Sequence, residues 1–515
     1  MNEVAESQVS TRGFMGSVLV ARDSALLFEH GYGWANLEWN IANTPTTKFR
    51  IGSVTKQFTA AAILLLEERG RLTLEDPIGR HLPDAPDAWD QVTVYHLLTH
   101  TSGIPSFTSF PDYATVKLAP STPAKAMDRI RTEPLEFTPG EKFSYSNSGY
   151  LILGYMIELL SGQPYATFLD DNIFKRLGMG DTGIDSNLAI IPRRASGYVP
   201  EPRGMANAPY VDMTIPHGAG AIYSTVRDLW RWQQGLHGGK LLTAQSLEKM
   251  ITPHLGSYAL GVGVQTISGR KVISHGGGIE GFNAYLLYHP DSKLTVTVLA
   301  NVNGPSASEL SQQLAKLAFD EPVTLTAERK EIEVPVETLE EYVGTYQLTP
   351  RIKNMIRVTD GRLTTQLSGQ GELPLFAESG SKFFLKVVDA QVEFVRENGR
   401  VTHLVQHQGD RSQKAERISD TVEERVAIEL PASKLERYVG TYEITPAFAL
   451  EITLEDGQLM SQASGQAKFP LFAESERTFF LKVVDAQLEF FEGEDGAITR
   501  AVLHQGGRDI PATRK

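Results

Sequence analysis

A chain of 515 residues, 41% of them hydrophobic, is long enough to form more than one folded domain with an apolar core. Its 49 basic and 62 acidic residues give a net charge of −13, which argues against a nucleic-acid partner and against a polybasic membrane anchor. The absence of cysteine excludes disulfide bonds and thiol catalysis.

The amino-terminal segment and the hydropathy pattern bear on the cellular compartment. Residues 1–7 have neither a basic stretch nor an apolar core, so the sequence predicts no signal peptide. The compartment stays open: periplasmic or secreted if a leader has been removed, and otherwise cytoplasmic. No run of residues is apolar and long enough to span a bilayer, so we expect no membrane span.

The first predicted elements are strands at residues 16–22 and 26–32, followed by a helix at residues 57–69. Ser53 and Lys56 lie at the start of this helix, three residues apart, and this spacing places both side chains on one helix face. A serine hydroxyl is a weak nucleophile until a neighbouring group accepts its proton. A lysine whose pKa is lowered by desolvation can do this, so the pair predicts nucleophilic catalysis.

Two further polar motifs follow along the chain. Tyr145 and Asn147 lie in a polar loop before an apolar helical run at residues 151–160. His275 precedes three glycines that include Gly277 and Gly278, and the residues after them are predicted to form adjoining strands. Glycines in such a strand permit close approach of a second backbone.

In this order and at these separations, the motifs resemble those of the class C β-lactamase and penicillin-binding protein family of serine hydrolases. The resemblance covers residues 14–320 and implies the following roles. Ser53 is the acylated nucleophile, Lys56 is its proton acceptor, and Tyr145 passes the proton to the leaving group. Asn147 donates its amide to the substrate, and the backbone N–H groups of Ser53 and Gly278 form the oxyanion hole. The sequence does not decide whether Lys56 or Tyr145 holds the proton at rest.

The residue at position 275 is a histidine, whereas the β-lactamases of the family carry a lysine there to bind the substrate carboxylate. A histidine is mostly neutral at pH 7, so we expect weaker recognition of carboxylates, with protonation near pH 6.5 restoring the charge. Histidine at this position is also the version found in esterases, D-amino-acid amidases and D-peptidases of the family. Packing of the strand end is the alternative role for His275.

The other motifs in the sequence do not indicate a second catalytic or cofactor-binding site. Gly276, Gly278 and Gly281 match a dinucleotide-binding spacing, but a strand rather than a helix is predicted to follow them. His100 and His217 lie in turns, where we expect backbone groups to satisfy them. No zinc motif and no Gly-x-Ser-x-Gly motif occurs in the sequence, so we predict no metal and no cofactor.

The sequence changes character after Phe319, where a polar stretch rich in proline and glutamate reads as a linker. Beyond it, segments beginning at Leu339 recur 96 residues later, beginning at Leu435. Each repeat alternates short β-type runs with turns, which predicts an antiparallel barrel of about eight strands, similar to lipocalin-like domains of D-aminopeptidase-type relatives. The aromatic residues of the repeats are expected to form barrel core rather than a ligand site.

The predicted fold is therefore an α/β (α+β) β-lactamase-like domain, with an antiparallel sheet flanked by helices and a helical subdomain, at residues 1–325. Two all-β barrels follow at residues 326–420 and 421–515. We expect a serine hydrolase that cleaves an ester, or a D-amino-acid amide or peptide, as its small-molecule or peptide substrate. The alternatives are a weak β-lactamase or D-Ala-D-Ala carboxypeptidase, and a penicillin-recognising sensor without turnover. We consider three roles for the barrels: assembly into a homo-oligomer, scaffolding and substrate gating.

Overall fold

The computed structural model describes residues 1–82, 84–201, 204–323, 329–350, 352–386, 390–408, 411–422, 425–445, 448–464, 466–493, 496–506 and 508–515. The chain divides into two compact units, Met1–Leu325 and Thr326–Lys515. The residues on both sides of the predicted boundary at 325 and 326 lie outside the described ranges. The predicted division of the second unit between residues 420 and 421 stays a prediction.

The first unit mixes strands and helices. Its helices are α1 (Asn2–Arg12), α2 (Thr55–Glu68), α3 (Val94–Leu98), α4 (Tyr113–Val116), α5 (Pro123–Ile130), α6 (Asn147–Ser161), α7 (Tyr165–Leu169), α8 (Lys175–Leu177), α9 (His217–Gly220), α10 (Val226–His237), α11 (Ala244–Ile251) and α12 (Ser306–Ala318). Its strands are β1 (Gly16–Arg22), β2 (Ala25–Tyr32), β3 (Trp34–Asn36), β4 (Ile41–Ala42), β5 (Phe49–Arg50), β6 (Gly183–Ile184), β7 (Tyr198–Glu201), β8 (Gly204–Asn207), β9 (Ile222–Ser224), β10 (Gly263–Ile267), β11 (Arg270–Ile279), β12 (Phe282–His289) and β13 (Leu294–Ala300).

The main sheet is antiparallel and has the order β10-β11-β12-β13-β1-β2. Strands from both ends of the first unit therefore meet in one sheet, and this sheet is antiparallel as the sequence predicted. Side chains of a strand alternate between its two faces, so β1 contributes to two separate cores. Val18 and Val20 pack with α1 and α12 on one face, whereas Leu19 and Ala21 pack with α2 and the helical region on the other.

Helix α2 lies at the junction of the sheet and the helical region. Every residue from Thr55 to Leu66 is buried. A helix that is buried on all sides needs apolar residues on nearly all its faces, and the sequence of this segment has them. The helix packs against α6, α9 and α11. Burial of α2 from Thr55 to Leu66 fixes the start of the helix, and Ser53 lies in the turn directly before it.

The second unit is almost entirely β-structure. Its short helices are α13 (Val336–Glu340) and α14 (Ala432–Leu435). Its strands are β14 (Gly344–Thr349), β15 (Ile352–Thr359), β16 (Arg362–Leu367), β17 (Leu373–Pro374), β18 (Phe376–Ala377), β19 (Lys382–Phe384), β20 (Ala390–Glu397), β21 (Arg400–Gln408), β22 (Arg411–Ser419), β23 (Gly440–Thr445), β24 (Phe448–Glu455), β25 (Gln458–Ala463), β26 (Lys468–Ala473), β27 (Thr478–Leu481), β28 (Ala486–Glu492), β29 (Ile498–Gln505) and β30 (Arg508–Arg514).

The two repeats form barrel-like sheets of closely similar construction. Strands β23 to β30 form a closed eight-stranded barrel. In the first repeat the strand equivalent to β26 is interrupted between β17 and β18, which leaves a nine-stranded sheet that is nearly closed. The interruption falls at Leu375, whose N–H donates to the carbonyl of Leu363.

Aromatic residues fill the interior of both barrels, as the sequence predicted. Tyr346 and Tyr442 are fully buried, and each donates its hydroxyl to the carbonyl of the tyrosine four residues earlier. Phe383 and Phe479 are buried in the same two cores. These rings pack against one another and belong to the barrel cores.

Candidate active site

The sequence-predicted nucleophile lies in a single 3₁₀ turn, Gly52–Val54, directly before α2. Lys56 occupies the first turn of α2, and its Nζ lies 3.1 Å from Ser53 Oγ. Lys56 is fully buried. The three-residue spacing that was read from the sequence thus produces a direct contact between amine and hydroxyl.

The other partners of Lys56 Nζ are oxygens that carry no charge. It lies 2.8 Å from Asn147 Oδ1 and 2.9 Å from the carbonyl oxygen of Ala219. The rings of Tyr145 and Tyr150 complete the surroundings, with centroids at 4.8 and 5.5 Å. Burial lowers the pKa of the Lys56 amine well below its usual value, because the charged form loses its hydration.

This set of partners suits a neutral amine. A neutral amine has two N–H donors and one lone pair, whereas the carbonyl oxygens of Asn147 and Ala219 only accept hydrogen bonds. With its two donors directed to these oxygens, Lys56 Nζ can accept a hydrogen bond from Ser53 Oγ. That arrangement is the one needed to remove the hydroxyl proton.

Tyr145 lies on the loop before α6 and is the second polar group next to Ser53. Tyr145 is 38% exposed as a whole residue, yet desolvation of its phenol raises its pKa, and a hydrogen bond with Ser53 lowers that pKa by a smaller amount. The ring of Tyr145 is 6.3 Å from that of His275, measured between centroids. A raised tyrosine pKa and a lowered lysine pKa together favour a protonated phenol beside a neutral amine at rest.

His100 fixes the loop that carries Tyr145. It is 1% exposed, with a backbone φ of 58°. Its Nδ1 accepts the N–H of Ser146 and its carbonyl accepts the N–H of Ser144, so it binds the residues on both sides of Tyr145. Its ring lies 4.2 Å from that of Tyr145. The sequence predicted a backbone-satisfied histidine, but only the fold shows which loop it holds.

Asn147 is the first residue of α6, although the sequence placed it in the preceding loop. Its Oδ1 contacts Lys56 Nζ, and its Nδ2 donates to Thr108 Oγ1 at 3.1 Å. Its backbone N–H donates to Ser106 Oγ at 3.0 Å. Contacts on three sides therefore hold the side chain of Asn147 beside the amine of Lys56.

Strand β11 brings its glycines against the turn that carries Ser53. A Cβ on Gly277 would lie 1.9 Å from the carbonyl oxygen of Ile51. Gly52 has a φ of 50°, and a Cβ there would lie 2.8 Å from the N of Gly278. Only glycine fits either position without moving the backbone, so the two segments approach as closely as the sequence implied.

His275 lies within β11, and the structure places it differently from a group that binds substrate carboxylates. It is 8% exposed. Its Nε2 lies 2.9 Å from the hydroxyl of Tyr258, and its Nδ1 lies 2.6 Å from the carbonyl oxygen of Gly276. Nδ1 is therefore the protonated nitrogen, and Nε2 accepts from Tyr258. Burial lowers the pKa of His275 to about 4.

The low pKa of His275 changes the pH dependence that the sequence suggested. Between about pH 7.5 and about pH 5.5 the imidazole stays neutral, so we expect a constant ratio of kcat/KM for an anionic cephalosporin over an uncharged ester. Effects of pH on Lys56 cancel in this ratio because both substrates need the same base. A ratio that rises as the pH falls through about 6.5 would contradict a buried, neutral His275.

A groove of about 350 Å³ lies beside Ser53. Asn147, Gly278, Ile279 and Glu280 are among the residues that line it. Among the described residues that line the groove, Glu280 carries the only charge. Tyr145 and His275 are not part of this lining.

The described residues contain neither a metal-binding cluster nor a membrane-spanning helix. Within the described ranges, no group of three or more histidine or acidic side chains is arranged to hold a metal ion. Across the same part of the chain, no helix has the length and apolar character needed to cross a membrane.

The antiparallel sheet with its helical layer is the fold of the β-lactamases and penicillin-binding proteins. Residues 5–319 match the beta-lactamase family, and residues 328–419 and 424–514 each match a domain of unknown function, DUF3471. The chain therefore belongs to the beta-lactamase family. It is 30% identical over 412 residues to penicillin-binding protein 4* of Bacillus subtilis (strain 168), covering 74% of this chain and 90% of that protein.

Solved structures with the same fold include a penicillin-binding protein homologue and an amidase. The octameric penicillin-binding protein homologue from Pyrococcus abyssi has a TM-score of 0.59 and 26% identity, and the match covers 81% of this chain and 98% of that one. The D-amino acid amidase from Ochrobactrum anthropi SV3 has a TM-score of 0.52 and 26% identity, over 59% of this chain and 91% of that one.

Proposed function

We propose that the protein is a serine hydrolase that forms an acyl-enzyme on Ser53 and cleaves an ester or a D-amino-acid amide or peptide. The observation that carries this proposal is the contact between Ser53 Oγ and the Nζ of Lys56. The amine is fully buried and its contacts are with uncharged oxygens, so it is set up to accept a proton.

In the proposed acylation, Ser53 Oγ attacks the substrate carbonyl carbon while its proton passes to the neutral amine of Lys56. The backbone N–H groups of Ser53 and Gly278 would stabilise the oxyanion, which is consistent with the close approach of β11 to the Ser53 turn. Tyr145, protonated at rest, would give its proton to the leaving group and regain one from Lys56. Water would then hydrolyse the acyl-enzyme with the same groups in reverse.

The substrate class rests on two further observations. A neutral His275 bound to Tyr258 offers no cation for the carboxylate of a β-lactam, which makes a dedicated β-lactamase the weaker candidate. Likeness to a D-amino acid amidase supports an amide of a D-amino acid. Assembly through the barrel repeats remains part of the proposal, supported by likeness to an octameric homologue.

A panel of three substrates tests this function: a chromogenic short-chain ester, a D-alanine anilide and a chromogenic cephalosporin. We expect turnover of the ester or the anilide, with the cephalosporin slowest. Fast hydrolysis of the cephalosporin would favour the β-lactamase alternative. Labelling of one serine by the cephalosporin without turnover of any substrate would favour a penicillin-recognising sensor.

The groups that the proposal uses all lie in the first unit, between Gly52 and Asn303. We therefore expect a chain ending after Val323 to be soluble and to react with a fluorophosphonate probe at Ser53, because this unit has its own two apolar cores. Intact mass spectrometry of the labelled fragment measures this. An insoluble fragment, or a soluble one that does not react, would show that the site depends on the barrels.

A further inference from the structure

The charge of the groove points to a particular kind of acyl group. Glu280 directly follows β11, and its Oε1 lies 2.7 Å from the Nζ of Lys117. The two side chains are 17% and 18% exposed. Lys117 does not line the groove, and within the described residues Oε2 of Glu280 has no hydrogen-bond partner. The groove thus presents to a substrate one carboxylate with acceptor capacity left.

The position of Glu280 along β11 shows which half of a substrate it would meet. His275 lies three residues before Gly278, and the ring of Tyr145 is near His275. Under the proposed function the leaving group, which takes a proton from Tyr145, departs towards that end. Glu280 lies two residues beyond Gly278, in the opposite direction, and therefore faces the acyl half.

The distances suit a group on the carbon next to the reacting carbonyl. Gly278 is in β11 and Glu280 is in the turn directly after it, so their Cα atoms lie at most about 7 Å apart. An α-nitrogen lies about 2.5 Å from its own carbonyl carbon, and an ammonium–carboxylate hydrogen bond adds about 2.8 Å. A flexible glutamate at this position can therefore reach an α-ammonium on an acyl group that is bound at Ser53 and Gly278.

We propose that Glu280 binds the free α-ammonium group of an amino-acid substrate, so that the enzyme prefers an unblocked aminoacyl amide or ester over an N-acylated or amine-free one. This inference rests on the proposed function, since it assumes acylation of Ser53. Lys117 competes for the same carboxylate and moderates the preference. Its backbone carbonyl accepts the N–H of Asp212 at 2.8 Å, so the main chain at Lys117 is held independently of the ion pair.

The test compares D-alanine p-nitroanilide with propionyl p-nitroanilide, which has the same acyl skeleton without the amine. The measured quantity is the ratio of their kcat/KM values, in which general damage to catalysis cancels. Glu280→Gln should lower this ratio about tenfold, the usual value of one charge-assisted contact in a partly solvated site. Lys117→Met should raise it, because the carboxylate loses its competing cation.

Glu67 and Lys249 provide a matched control pair. They form an ion pair of 2.9 Å in which Glu67 is 16% exposed, and Glu67 lies near the carboxyl end of α2, about 18 Å along the helix from its first residue. Glu67→Gln and Lys249→Met should each leave the ratio within about twofold of the wild-type value, since their charges are too distant to act on the acyl group.

Opposite shifts of the ratio in Glu280→Gln and Lys117→Met are the decisive signature. Equal ratios in wild type and Glu280→Gln, or shifts in one direction for both variants, would show that Glu280 is only the structural partner of Lys117. Fluorophosphonate labelling of each variant reports whether its site is folded, and Glu280→Asp, which keeps the charge, should retain part of the preference if Glu280→Gln fails to fold. If wild type is labelled at Ser53 and active, but Glu280→Gln does not change its ratio, the inference is overturned and the proposed function stands. If Ser53 of wild type is not labelled, the proposed function itself is overturned.

Discussion

Replacing Ser53 by alanine is expected to lower kcat/KM by about 10⁴-fold or more on any substrate that the protein turns over. The change removes the atom that would form the covalent intermediate, and no other hydroxyl is held against Lys56 Nζ in the described structure. The measurement is steady-state kinetics on the best substrate of the panel, with the melting temperature recorded to show that the fold is kept.

Ser308 supplies the control for this experiment. It lies in the first turn of α12, and its hydroxyl donates to the carbonyl of Pro305. Helix α12 packs on the face of the sheet opposite α2, so Ser308→Ala should leave kcat/KM within about twofold. A Ser53→Ala protein that keeps more than about a tenth of wild-type activity would exclude Ser53 as the nucleophile.

The second large effect is expected for Lys56 and Tyr145, and it should not be additive. Both groups meet at Ser53 Oγ and handle one proton, so removal of either interrupts the same transfer. Lys56→Met, Tyr145→Phe and the double variant should each lose about 10³-fold or more, with the double variant close to the worse single one. We would measure kcat/KM of wild type and of all three variants on one substrate. Comparing the loss in the double variant with the losses in the single variants gives the coupling between Lys56 and Tyr145.

Lys249→Met serves as the control for loss of a lysine, because Lys249 is a surface residue paired with Glu67. It should retain nearly full activity. If the losses of the two single variants multiply in the double variant, Lys56 and Tyr145 act independently, and the shared-proton scheme is wrong. That outcome would still leave Ser53 as the nucleophile.

Local spacing was enough to predict the contact between Ser53 and Lys56. Ser53 and Lys56 lie within one helical turn, and a contact over three residues follows from helix geometry alone. The strands at both ends of the first unit and the barrel repeats were also predictable, because hydrophobic alternation and a constant offset of 96 residues are properties of the sequence.

Contacts between distant segments could not be predicted in the same way. The carbonyl of Ala219 reaches Lys56 across 163 residues, and Lys117 reaches Glu280 across the same separation. Nothing in the local sequence marks either partner. The pKa of His275 is a further example, since its ordinary value applies to a solvated ring, whereas burial beside Tyr258 exists only in the folded chain.

The barrels show how one local pattern can give two outcomes. Pro374 and Pro470 occupy equivalent places in the two repeats, yet the second repeat has one continuous strand, β26, where the first has β17 and β18 separated at Leu375. The repeat sequence predicted the number of strands approximately. Whether the barrel closes depends on backbone hydrogen bonds between segments, which the pattern of side chains does not encode.

Trapping the acyl group on the enzyme tests whether Ser53 is the residue that is acylated. Wild-type protein is quenched in acid during turnover of its slowest substrate, digested, and analysed by mass spectrometry. We expect a mass increase equal to that of the acyl group on the peptide that contains Ser53, and no such increase in Ser53→Ala. An acyl adduct on a different residue, or turnover with no adduct under conditions that trap one on a known serine hydrolase, would contradict it.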